Sequence, residues 1–193
     1  VDKDGVRKIP HKPAQPRRCV FEHIYFSRPD SQVDPQYSDA GDNSAVRIQL
    51  GRQLAKESPV ENADVVIPVP DSGNQAAIGY AEQSNVPFRL GIIRNHYVGR
   101  TFIDPDIHRV SSTRIKHNVV ASDIKDKIVV VVDDSIWRGN TTKKITKMLS
   151  AMEPKEIHFR ITQPPVIGPC YYGIDTPNDT ELIASHMEPE EIA

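Results

Sequence analysis

Two adjacent carboxylates, Asp133 and Asp134, follow the apolar run Val129–Val132. Ser135, Gly139, Asn140, Thr141 and Thr142 come next, just before a helical pattern begins. Like charges side by side repel, so the pair calls for a partner, either a hard cation or the hydroxyls of a bound sugar. Backbone N–H groups at a helix N-terminus, together with small hydroxyl side chains, form a cradle for phosphate. Gly139 lets the chain turn closely around an anion. Taken alone, the acidic pair also fits a turn and Thr141 a helix cap. The fixed spacing from Asp-Asp to Gly-Asn-Thr-Thr favours the cradle, and with it a magnesium-complexed sugar phosphate. The segment has neither the Gly-Lys-Ser/Thr ending of a Walker A loop nor a Gly-x-Gly-x-x-Gly pattern.

Pro70-Asp71-Ser72-Gly73 reads on its own as an ordinary turn. From Arg89 to His117 there are six Arg or Lys against two acids, a local balance of +4 in a chain of −2. A basic loop beside a phosphate cradle suits a lid that excludes water and neutralises a leaving group. The plain alternatives are a solvated basic face or a nucleic-acid patch. Aromatic residues within the stretch are limited to Tyr97 and Phe102, which supports a stacking platform poorly. His96, His108 and His117 form no metal-ligand pattern with the cysteines.

The elements that must position these groups alternate. Cys19–Phe26 reads as a strand, ended by Arg28-Pro29-Asp30-Ser31. A helix is expected over Ser44–Ser58, capped by Ser44, with Leu50 and Leu54 on one face. Strands are expected at Ala63–Val69, Phe88–Ile93, Lys127–Val132 and Glu156–Thr162. Helices are expected at Asn74–Ser84 and at Thr141–Met152, where Ile145, Met148, Leu149 and Met152 repeat at helical spacing. Four consecutive valines suit a strand buried on both faces. Alternating strands and helices predict an α/β fold with a mainly parallel twisted sheet flanked by helices. In such folds ligands bind beyond the carboxyl ends of the strands. Tyr97–Asn118 is long and irregular, as functional lids often are.

The 193 residues suffice for one domain with a real core. Residues 1–18, with Pro10, Pro13 and Pro16, read as an extended linker or arm. The domain is expected over 19–185 and a tail over 186–193. The net charge of −2 points to no strongly acidic or basic partner, so no nucleic acid is expected. No apolar run approaches the ~20 residues that span a bilayer, and the first residues lack the apolar core of a signal peptide, so no membrane partner is expected. Cys19 and Cys170 make no disulfide framework, which favours a reducing, cytoplasmic setting.

The Asp133–Thr142 segment resembles the phosphoribosyl pyrophosphate (PRPP) motif of type I phosphoribosyltransferases. Asp-Asp-Ser-Ile-x-Arg-Gly resembles more closely the form found in the amidophosphoribosyltransferase family. Further blocks agree in order: Phe21-Glu22 with Tyr25–Ser31, Val69–Ser72, Tyr97–Ile103, Tyr172–Asp175 and Glu181–Ala184. The resemblance runs from Cys19 to Ser185. It implies a type I phosphoribosyltransferase fold with a small hood and a flexible lid loop. By the same likeness, Asp133, Asp134, Ser135, Arg138, Gly139, Asn140, Thr141 and Thr142 would hold the 5-phosphate and ribose. Pro70, Asp71, Ser72 and Gly73 would form the pyrophosphate loop, with Ser72, Asp133 and Asp134 around Mg2+. Tyr97, Arg100, Thr101 and Ile103 would act from the lid. Trp137 stands where a smaller aliphatic is usual, Asn140 where Thr is frequent and His96 where Arg is common.

The reaction implied is transfer of ammonia to C1 of PRPP, releasing pyrophosphate and giving 5-phosphoribosylamine, the first step of purine synthesis. AMP and GMP are the inhibitors implied, and homo-oligomers the assembly. The family's glutaminase domain precedes this one and carries an N-terminal cysteine nucleophile. Here the first cysteine is Cys19, so the glutaminase domain is expected to be separate or lost and the chain to use ammonia. Cys19 and Cys170 match two of the four iron–sulfur ligands of one branch, so no cluster is expected in this chain. Two other readings remain: a module that binds PRPP or purine nucleotides without turnover, and a salvage phosphoribosyltransferase that uses a base.

Overall fold

The structure, a computed structural model, describes residues 19–32, 41–94, 117–171, 173–174 and 178–192. Its centre is a parallel sheet of β1 (Val65–Pro68), β4 (Ile128–Asp133) and β5 (Glu156–Ile161), in the order β1-β4-β5. Register runs from Val65 opposite Val129 to Pro68 opposite Val132, and from Ile128 opposite Glu156 to Asp133 opposite Ile161. The Asp64 carboxylate accepts the Ile128 N–H at 2.8 Å and fixes the start of that register.

Side-chain alternation divides the strands between two cores. Val65, Ile67, Val129 and Val131 pack with Ile92, Ile124, Ile145 and Leu149. Val66, Val130 and Val132 pack with Ala55, Ala76, Ala77 and Tyr80 on the other face. All four valines are fully buried, as expected for a strand covered on both sides. One cover is α4 (Asn140–Ser150), whose Ile145 and Leu149 are its buried positions. The other is the pair α1 (Asn43–Glu57) and α2 (Asn74–Ser84). These two helices meet backbone to backbone. A Cβ on Gly51 would lie 1.9 Å from the Ala76 carbonyl oxygen, and one on Gly79 would lie 1.9 Å from that of Ile48. Only hydrogen fits at either place.

Four expectations change. Cys19–Phe26 is not a strand. Its core is a π-helical turn, Glu22–Phe26, closed by the Ser27 N–H on the Glu22 carbonyl at 3.0 Å. Phe21 and Ile24 are buried, and Phe21 and Tyr25 bring their rings to 5.3 Å. Spacings of three and four are helical, and they outweigh the β-prone residue types. The α1 cap is Asp42, whose carboxylate accepts the Ala45 N–H at 3.0 Å, rather than Ser44. The buried stripe of α1 is Asn43, Arg47, Gly51 and Ala55, while Leu50 and Leu54 are only half-buried.

The fourth change lies at Phe88–Ile93. Here Phe88 makes a single parallel bridge to Val66, and a short strand β2 (Ile92–Arg94) pairs antiparallel with β3 (His117–Val119). Residues 95–116, and with them Tyr97, Arg100, Thr101 and Ile103 of the expected lid, lie outside the described residues. A four-residue helix α3 (Ala121–Ile124) leads into β4. Two single turns, Asp179–Glu181 and Ile183–Ser185, and a terminal helix α5 (Pro189–Ile192) complete the description.

Candidate active site

Parallel register places the ends of β1 and β4 side by side, with Pro68 opposite Val132. The Val69 N–H continues the ladder onto the Val132 carbonyl at 2.9 Å. Loops 69–73 and 134–139 therefore leave the same edge of the sheet, at its carboxyl end. Between them opens a cleft of about 450 Å³. Pro70 and Ser72 line it from the first loop. Asp133, Asp134, Ser135, Arg138, Gly139, Asn140, Thr141 and Thr142 line it from the second.

Gly73 lies beneath this surface, where a Cβ would come within 2.5 Å of the Val132 carbonyl oxygen. Asp71 turns away: its carboxylate takes the Arg94 guanidinium at 2.5 Å. The Pro70–Asp71 peptide is cis. Gly139 sits at φ 71°, in the left-handed region, directly before α4. A side chain there would be strained, and its Cβ would meet the Ile183 Cδ1 at 3.2 Å. The backbone thus turns sharply before the first helical N–H groups.

Asp133 and Asp134 are only 7% and 5% exposed. Burial pushes the Asp133 carboxyl well above the usual carboxylate range, and the charge of Asp134 pushes it the same way. Asp133 Oδ1 accepts the Asp134 N–H at 2.9 Å, and the Ser135 hydroxyl donates to Asp134 Oδ1. The carbonyls of the pair accept from the Thr162 N–H at 3.2 Å and the Gln163 N–H at 2.9 Å. The carboxylates are therefore held on a fixed backbone. Among the described residues no group of three or more His, Cys, Asp or Glu is placed to hold a metal. The donor set is two carboxylates and nearby hydroxyls, the kind Mg2+ accepts while taking its other oxygens from substrate and water.

Arg138 lines the cleft, but its guanidinium is paired with Glu181, Nε donating at 2.7 Å. Trp137 packs edge-on to Phe21 at 5.3 Å while also lining the cleft, and its carbonyl accepts the Ile183 N–H at 2.8 Å. Phe21, Tyr25, Ile136, His117 and Ile174 were not among the expected site residues, yet all line the cleft. The spacing of Phe21, Ile24 and Tyr25 was the available signal for the first two. Arg47 was also missed. It is 4% exposed, its Nε donates to the His23 carbonyl at 2.8 Å and its Nη2 to the Ser27 carbonyl at 2.7 Å. Burial pushes its pKa down, while the nearby charge of Asp134 pushes it up. Cys19 is exposed and Cys170 half-buried.

Comparison with known proteins meets this geometry at the same residues. The phosphoribosyl transferase domain model matches residues 42–162. Amidophosphoribosyltransferase 1, chloroplastic, of Arabidopsis thaliana is 50% identical over 194 residues, covering 100% of this chain and 33% of the relative. A solved structure described as the allosteric regulatory enzyme of purine biosynthesis is 48% identical, with a TM-score of 0.78 over 90% of this chain and 36% of the other. The glutamine PRPP amidotransferase from B. subtilis, complexed with ADP and GMP, is 49% identical, with a TM-score of 0.77 over 90% and 37%. The chain spans about a third of the length of these relatives. The expected α/β architecture, a parallel sheet flanked by helices in the type I phosphoribosyltransferase fold, is the one found.

Proposed function

The chain belongs to the phosphoribosyl transferase domain family, and we propose that it is the transferase unit of an amidophosphoribosyltransferase. Its reaction would join ammonia to C1 of PRPP: the C1–N bond forms, the C1–oxygen bond to pyrophosphate breaks, and ammonia gives up one proton. The product is 5-phosphoribosylamine. The observation that carries this reading is the buried Asp133/Asp134 pair opening onto the same cleft as Ser72 and the α4 N-terminus.

In this reading the 5-phosphate sits against the α4 N–H groups and the hydroxyls of Thr141 and Thr142. Asp133 and Asp134 would face the ribose hydroxyls and, with Ser72, would hold Mg2+, which when bound would supply positive charge to the pyrophosphate. The chain's own contribution is to place the sugar ring, keep the carboxylates out of bulk water and offer no competing nucleophile. Tyr97, Arg100, Thr101 and Ile103 are proposed to close over the pyrophosphate. Purine nucleotides are proposed as ligands on the example of the B. subtilis relative, whose complex holds ADP and GMP. These 193 residues are assigned no role in glutamine use.

The test is pyrophosphate release from PRPP with Mg2+ and ammonium at alkaline pH. Ammonium-dependent release is expected. Release that needs a purine or pyrimidine base instead would make the chain a salvage transferase. PRPP binding with no release under either condition would remove the catalytic claim.

A further inference from the structure

Among the described residues the buried charged side chains are Arg47, Asp133 and Asp134. Two of them are the acidic pair at the cleft. The third reaches from α1 to the turn whose aromatic side chains wall that cleft. On the reading that the cleft takes PRPP, we propose that Arg47 is a positioning residue for that substrate. Its guanidinium clamps the aromatic turn that walls the cleft.

The clamp is explicit in the hydrogen bonds. Nε takes the His23 carbonyl and Nη2 takes the Ser27 carbonyl, so one planar group grips both ends of the Glu22–Phe26 turn. That turn carries Tyr25, and Phe21 immediately precedes it; both line the cleft. Phe21 then meets the edge of Trp137, which belongs to the loop following Asp133 and Asp134. The path from Arg47 through the wall to Trp137 is a chain of direct contacts.

Two backbone carbonyls solvate the buried guanidinium through charge-assisted hydrogen bonds, so the cation and the turn hold each other in place. Arg is also the residue this geometry demands, because its rigid fork meets two acceptors at once, whereas a lysine ammonium is a point charge on a flexible stem.

The experiment compares Arg47→Gln and Arg47→Lys with the unaltered chain. It measures ammonia-dependent pyrophosphate release, PRPP affinity and acrylamide quenching of Trp137, the only tryptophan in the sequence. Loss of charge-assisted hydrogen bonds predicts that Arg47→Gln raises the KM for PRPP about tenfold with kcat changed less than about threefold. Trp137 should become more accessible to quencher, and Arg47→Lys should fall between. An Arg47→Gln chain that melts lower, yet keeps the original KM and quenching well below its melting temperature, would reduce Arg47 to a structural role. If Arg47→Gln does not fold, Arg47→Lys decides, and the original KM and quenching there overturn the proposal. Failure of the unaltered chain to bind PRPP would instead overturn the PRPP reading. The quenching comparison would still test the clamp.

Discussion

Replacing Asp133 by Asn should stabilise the ligand-free protein while destroying its function. Asp133 is 7% exposed and lies beside Asp134, so its charge is both desolvated and repelled. Adjacent like charges at an effective dielectric of about 20 repel by on the order of a few kcal/mol. Uptake of a proton relieves part of that cost, which leaves about 1–3 kcal/mol to be recovered by the neutral amide, or roughly 3–10 °C in Tm for a chain of this size. The asparagine Oδ1 can still accept the Asp134 N–H that Asp133 accepts now.

The pH dependence has a definite sign. The carboxyl of Asp133 is raised above its unfolded value, so the folded state keeps a proton that the unfolded chain releases. Its contribution to stability is complete below the ordinary carboxylate range and is lost as pH rises through the raised value. The advantage of Asp133→Asn should therefore be smallest below the ordinary carboxylate range and grow as pH rises above it. Saturating PRPP with Mg2+ should reverse the order, because a ligand at about 1,000 times its Kd adds roughly 4.1 kcal/mol to the protein that binds it. Thermal melts of both proteins across pH, with and without PRPP and Mg2+, provide the assay. A less stable Asp133→Asn protein, or a gap that does not change with pH, would mean that the Asp133 charge is not held at a cost in the folded protein.

Other substitutions probe the scaffold. Gly139→Ala forces a side chain into the left-handed region and toward Ile183, so it should cost about 1–2 kcal/mol and weaken PRPP binding, read by melting and calorimetry. Gly51→Ala places a Cβ 1.9 Å from the Ala76 carbonyl oxygen and should cost about 3 kcal/mol or more as α1 is pushed off α2, read by urea denaturation. Asp42→Ala removes the α1 cap and should lower stability by about 1 kcal/mol in the same measurement. Glu181→Gln breaks a half-exposed pair with Arg138 and should change stability by under about 1 kcal/mol.

Much of this architecture is legible in the sequence. Asn74–Ser84 forms the helix expected of it, and the valine run is the central strand, because strong local periodicity and tertiary burial agree there. The acidic pair and Gly139 were legible as well, since their chemistry is local. The wall of the cleft was not. Residues 19–26 carry β-prone types, yet the burial of Phe21 and Ile24 on one side selects a helical turn. The α1 stripe of Asn43, Arg47, Gly51 and Ala55 contradicts a search for leucines. Its small residues permit close helix contact, and its polar residues are satisfied by the 22–31 segment: the Asn43 amide donates to the Arg28 carbonyl at 3.3 Å, and Arg47 grips His23 and Ser27. A buried arginine that depends on a distant turn leaves no periodic signature in the sequence.

Calorimetric titration of the chain with PRPP, in Mg2+ and again in chelator, with the Asp133→Asn/Asp134→Asn double variant alongside, decides whether this cleft binds PRPP through Mg2+ at Asp133 and Asp134. If it does, binding is saturable in Mg2+, and affinity is at least about 100-fold weaker in chelator or in the double variant, as expected for loss of close charge contacts. Binding of equal strength in all three, or no binding by the unaltered chain in Mg2+, would contradict that mode of binding.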